Sequence, residues 1–227
     1  MKPKHFVVVA LLAAVCGLPS CNQSRNIYTS PSFTAVAKQH KTIAILPFDV
    51  KVGLRPNEQR AMTEERHYEL ERQHGRAIQG ALQVHFLQTI NKNKEKVHVQ
   101  DVATTNAILM EKDIQPEELV NFTPTELASM LGVDAVMMGT LTTDKPLSNG
   151  VAAAMAVYDL LATPNLSMGG PTNTGMAVMK IYDGATGSLL WNYEKGLARY
   201  LGSDTNTITK AITRKAAKKI PYAKLKA

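Results

Sequence analysis

The apolar positions of this chain alternate between compact runs and helical stripes. Residues 42–48 (TIAILPF) form an unbroken apolar run with Pro47 near its end, the pattern of a central strand covered on both faces. From about Asn57 to Asn91 the composition turns to Glu, Arg, Gln, Ala and Leu. Within it Leu70, His74, Ile78, Ala81, Leu82 and His85 recur every three or four residues, which predicts one long helix with a single buried stripe. Residues 97–102 (VHVQDV) alternate as a half-buried strand does, and a helix over about 104–112 follows, with Ile108 and Leu109 inward. Thr123-Pro124-Thr125-Glu126 is a helix start with Thr at the N-cap, Pro at N1 and Glu completing a capping box, and Gly132 suits its left-handed end. Residues 135–141 (AVMMGTL) read as the next strand. Residues 176–182 and 188–193 read as a hairpin around the glycine-bearing loop 183–187. A final amphipathic helix over 204–219 has Ile208, Ile212 and Ala216 inward.

This order predicts an α/β (α+β) domain over residues 41–220: a central mixed sheet of four to five strands packed by helices, with a C-terminal β-hairpin and a basic C-terminal helix, then a basic tail over 221–227. Of the 227 residues 44% are hydrophobic, which excludes a disordered chain, and no apolar run reaches the roughly 18 residues of a spanning helix.

The N-terminus carries an address. Lys2 and Lys4 precede an apolar run from Phe6 to Leu18, the length of a signal-peptide h-region, and Leu18-Pro19-Ser20-Cys21 resembles the bacterial lipobox. Residues 1–20 are therefore expected to be a lipoprotein signal peptide, Cys21 the lipidated residue, and residues 21–40 the lipidated Cys with a flexible, Ser/Thr-rich tether. Removing Lys2 and Lys4 lowers the net charge from +7 to +5. Of the two cysteines, Cys16 leaves with the leader and lipidation consumes Cys21, so no disulfide or thiol nucleophile remains. The expected site is the outer membrane, lipid-anchored and facing the periplasm; Asn22 is not the Asp of the usual inner-membrane retention signal.

The segments TIAILPF at 42–48, VHVQDVATTNAIL at 97–109, ELASMLGVDAVMMGTL at 126–141 and MKIYDGATGSLLWNYEKG at 179–196, behind a lipobox, resemble a broad group of bacterial envelope lipoproteins. The group includes the curli-secretion channel family (CsgG-like), the lipoprotein activators of penicillin-binding proteins, and the N-terminal domain of the translocation protein TolB. The resemblance implies a non-enzymatic docking or assembly factor in secretion, surface assembly or cell-wall synthesis. A ring-forming outer-membrane channel or collar of the CsgG type is its alternative. The matching positions Gly132, Gly187 and Trp191 are structural, and none implies catalysis.

Candidate chemistry is sparse. His67, Glu71 and His74 share a helix face that suits a metal, but Glu64, Glu65, Arg66, Glu69, Arg72 and Arg76 around them read as a solvated, salt-bridged surface. No nucleophile elbow, phosphate loop or dinucleotide fingerprint is present, so no catalytic residue, metal or cofactor is expected. After Asp204 come Lys210, Arg214, Lys215, Lys218, Lys219, Lys224 and Lys226 without an acid, a surface for lipid headgroups or an acidic protein partner, the envelope address arguing against nucleic acid. Residues 151–162 are apolar apart from Tyr158 and Asp159. Met155, Tyr158 and Leu161 are the expected contact residues for a partner or for a second copy in a homo-oligomer.

Overall fold

The computed structural model of the chain describes residues 26–90, 97–144, 173–199 and 212–225. Among these, β1 (Ile27–Thr29), β2 (Thr42–Ile45), β3 (Asp49–Val52), β4 (His98–Val99), β5 (Ala135–Asp144), β6 (Asn173–Asp183) and β7 (Leu189–Arg199) form one sheet. Its order is β1-β7-β6-β5-β2-β4, with β3 also paired to β5. β2 runs parallel to β4 and β5, and the β5–β6–β7–β1 half is antiparallel, so the sheet is mixed. The helices are α1 (Phe33–Ala37), α2 (Pro56–Ala61), α3 (Glu64–Ile90), α4 (Val102–Glu111) and α5 (Pro124–Leu131), joined by helical turns at 212–217 and 3-10 segments at Pro116–Asn121 and Pro221–Lys224.

The chain steps from β2 to β4 in one direction, then back across β2 to β5. Right-handed crossovers in opposite directions place their helices on opposite faces of a sheet. The core divides accordingly. Ile43, Ile45, Met137, Ile181 and Trp191 pack with α1, α3 and the 212–217 turns, while Ala44, Leu46 and Val136 pack with α4 and α5. Covered on both faces, β2 has no polar side, as its sequence predicts.

The joint between β2 and β3 organises the centre. Ile45 pairs with Met137 and Asp49 with Thr140, so Leu46, Pro47 and Phe48 stand opposite only Met138 and Gly139, a bulge. Pro47 has no N–H for the ladder, and the Phe48 N–H turns to the Gly75 carbonyl of α3, 3.4 Å away. The Phe48 ring lies over Gly139 and the Phe48 carbonyl against Gly75; a Cβ at either glycine would collide with it.

Several expectations change. The sheet has seven strands, because β1 and β3 are too short to carry a periodic signal. Residues 26–40 are part of the fold: β1 pairs with β7, and Phe33 and Ala37 of α1 are buried. The expected flexible tether over 21–40 is therefore not what residues 26–40 form, and residues 21–25 lie outside the described residues. The predicted long helix breaks at Met62, which is extended, and its buried face is Glu71, Gly75, Ile78, Gln79, Leu82, Gln83, Phe86 and Ile90, sharing only Ile78 and Leu82 with the predicted stripe. Buried polar groups explain the rotation: Glu71 accepts from Val52 N–H (2.9 Å), Gln79 donates to Ile45 O (2.7 Å) and Gln83 to Gln100 O (3.1 Å). The second strand shortens to His98–Val99, because Asp101 caps α4, accepting from Ala103 N–H at 2.7 Å. The supposed tail is core: Tyr222 and Ala223 are buried, and the Tyr222 ring meets Phe33 edge-on at 5.1 Å. The capping box at Thr123, the left-handed Gly132 (φ 66°) and the hairpin turn at Gly187 (φ 70°) stand as predicted.

Candidate functional site

A wide opening lies between α3, α4 and the loop leading into the first 3-10 segment, beside Pro47 at the carboxyl end of β2. Crevices at the carboxyl ends of parallel strands are where open α/β sheets bind ligands. Its volume is about 380 Å³. Ala103, Asn106, Ala107 and Met110 of α4 form one wall at positions i, i+3, i+4 and i+7, a complete helical stripe. Thr105 and Leu109 are the buried residues of α4, Leu109 forming part of the groove floor, while Ala103, Ala107 and Met110 stand outside the core and Met110 is 75% exposed. Ile114, Gln115 and Pro116 close one end, and Arg76 of α3 supplies the charge.

The walls are held by polar contacts beneath them. Gln79, fully buried, exchanges two hydrogen bonds with Asn106, each 3.0 Å. Gln100 donates to Leu131 O (2.9 Å) and accepts from Thr105 Oγ1 (2.8 Å), fixing α4 against α5. Arg72 donates to Glu117 through Nη2 (2.6 Å) and Nε (3.1 Å), tying α3 to the 3-10 segment. That hydrogen bond is the largest influence on both groups, holding the Glu117 carboxyl below its usual range and raising the Arg72 guanidinium. Another, smaller opening, lined by Tyr68, Glu71, Arg72 and Glu117, shares Pro116 with the groove. Arg76 makes no ion pair among the described residues, leaving one uncommitted cation at the rim of an apolar groove.

His67 and Glu71 do share a face, and it packs against β3, with the His67 side chain 35% exposed and Glu64, Glu65, Arg66, Glu69 and Arg76 around it exposed. Glu71 is buried against β3, accepting from Val52 N–H and Lys51 Nζ (3.3 Å), and His67 Nε2 lies 2.9 Å from Val52 O. Among the described residues no group of three His, Cys, Asp or Glu side chains is placed to hold a metal ion.

Arg214, Lys215, Lys218 and Lys219 are all exposed, while Ile212, Ala216, Ala217 and Ile220 between them are buried, so the C-terminal element presents a basic outer side. Cys21, Met155, Tyr158, Leu161 and Lys210 lie outside the described residues. Asn106 and Met110 have no role in the sequence reading, and Arg76 enters it only as part of the solvated, salt-bridged helix surface. The signal available was the Ala103–Ala107–Met110 spacing, which periodicity alone reads as another buried stripe.

No family profile matches the chain, and no curated protein matches it in sequence. Solved structures do match. The lipoprotein GNA1162 from Neisseria meningitidis is 13% identical, with 79% of this chain and 97% of that one covered at a TM-score of 0.44. The PelC dodecamer from Paraburkholderia phytofirmans is 9% identical, covering 90% and 98% at 0.41. The LpoB C-terminal domain from Escherichia coli is 8% identical, covering 74% and 95% at 0.31. At this level of similarity, the function of this chain rests on its own residues.

Proposed function

We propose that this chain is a lipid-anchored docking protein of the bacterial envelope, carried on the periplasmic side of the outer membrane by acylated Cys21 and working without catalysis. The leader and lipobox support the address. The groove along α4 carries the functional reading: it is large enough to seat an apolar side chain or a turn of helix, and among the described residues lining it Arg76 alone is charged. A rigid apolar stripe with one cation at its rim suits a partner segment that presents aliphatic residues next to a carboxylate. The basic outer side of Arg214, Lys215, Lys218 and Lys219 offers a second, weaker contact, sensitive to salt.

The test is photo-crosslinking in cells from a benzophenone amino acid at Met110, with Ala107→Arg as the blocking variant. Docking predicts one dominant adduct with a different envelope protein, lost in Ala107→Arg while the purified variant keeps its melting temperature. An adduct of twice the chain's own mass would replace docking by self-assembly, and no adduct from Met110 or Ala103 would sink the groove as the site.

A further inference from the structure

The N-terminal strand sets how far the domain can stand from its anchor. Asn26 accepts a hydrogen bond from Glu194 N–H at 2.8 Å, and Ile27, Tyr28 and Thr29 pair antiparallel with Tyr193, Asn192 and Trp191. Toward its own N-terminus the chain therefore heads to the far end of β7. Five peptide links separate Asn26 from Cys21, so whatever path residues 22–25 take, the anchor lies within about 18 Å of that point. From Glu194 to Arg199, the last residue of β7, the strand itself runs five residues, or about 17 Å. The reach of the tether and the remaining length of the sheet are nearly equal.

We infer that the bilayer holding Cys21 is itself a contact surface of the folded domain, meeting it at the corner where β1 and the end of β7 come together. The inference rests on the lipidation proposed above. The chain leaves Asn26 heading away from the opposite end of the sheet, the turn of Gly184, Ala185 and Thr186. Asp183 pairs with Ala135 at that end and Thr174 with Asp144 at the other, nine residues or about 30 Å along the sheet.

The side chains at this corner suit an interface. Tyr28 and Met176 are 47% and 44% exposed, unusual among the large apolar residues of the sheet. The register puts both on one face: Tyr28 stands opposite Asn192 and Met176 opposite Gly196, even-numbered positions of β7 that share a side. An aromatic hydroxyl and a methionine beside a lipid anchor match the composition of headgroup-level contacts, where an apolar body and a polar tip are both accommodated.

The acylated chain, reconstituted in vesicles of phosphatidylethanolamine and phosphatidylglycerol, tests this with nitroxide labels at Met176→Cys or Ala185→Cys. Cys21 is blocked by its lipid and Cys16 departs with the leader, so each variant has one reactive thiol. The mass of the N-terminal peptide is measured first; an unmodified Cys21 overturns the lipidation reading and is distinguishable from failure of the contact. With acylation established, collisions with a water-soluble nickel chelate should fall several-fold at position 176, relative to the unlipidated chain starting at Asn22, and stay unchanged at 185. A Gly/Ser insert of about ten residues after Asn22, adding roughly 17 Å of reach, should restore access at 176. Equal access at 176 and 185 in the acylated chain, or no response to the insert, overturns the inference.

Discussion

His40 and Asp183, 143 residues apart in sequence, form a buried pair in which His40 Nε2 lies 2.9 Å from Asp183 Oδ1. The other ring nitrogen of His40 meets the Tyr222 hydroxyl. One imidazole thus joins the segment before β2, the β6–β7 turn and the C-terminal 3-10 segment at one end of the sheet. Burial raises the Tyr222 hydroxyl well above its ordinary value, so it stays protonated and able to donate. Asp134 works at the same end, accepting from Lys41 N–H (2.8 Å) and Thr42 N–H (2.9 Å).

Burial is the largest single influence on Asp183 and disfavours its charge. Hydrogen bonds from Thr186 (N–H 2.8 Å, hydroxyl 2.5 Å) and His40 together outweigh it, and the net effect is a lowered pKa. A carboxyl that titrates lower when folded stabilises the fold fully above its unfolded value of 3.8, and that contribution fades as pH falls through the folded one. Asp183→Asn should cost about 1.5–3 kcal/mol at pH 7, read as a lower urea midpoint at unchanged slope. The gap between wild type and variant should narrow in acid below pH 3.8; a gap constant from pH 7 to pH 2 would contradict the charge argument.

The two glycines against Phe48 make separable predictions. Gly139→Ala drives a methyl into the Phe48 ring and should cost about 1–3 kcal/mol. In a Phe48→Leu background, where the ring atoms are gone, most of that cost should vanish, a coupling that a double-mutant cycle reads directly. Gly75→Ala meets the Phe48 backbone carbonyl instead, so no side chain at position 48 should relieve it.

Glu71 caps the outer edge of β3 by accepting the Val52 N–H, with Lys51 and His67 beside it. Glu71→Ala should lower stability by about 1–3 kcal/mol, the range for leaving a buried donor unmet. Hydrogen exchange should locate the loss: the Val52 amide should lose protection well before those of β5. Equal loss across both strands would mean Glu71 acts through global stability alone.

What the sequence determined by itself is what short-range chemistry encodes. A capping box from Thr123 to Glu126, a left-handed Gly132, an apolar run over 42–48 and a glycine turn before Ser188 each specify their structure within a few residues. The mixed α/β class follows from their order. What tertiary structure alone decided is which stripes are covered. Glu71, Gln79 and Gln83 look like solvent positions until Val52, Ile45 and Gln100 supply partners for them. Ala103, Ala107 and Met110 look like core until α4 turns Leu109 inward instead. Tyr222 looked like tail until Phe33 and His40 met it. Periodicity records that one side of an element differs from the other; only distant chain, folded back, determines which side is buried, and so where the groove opens.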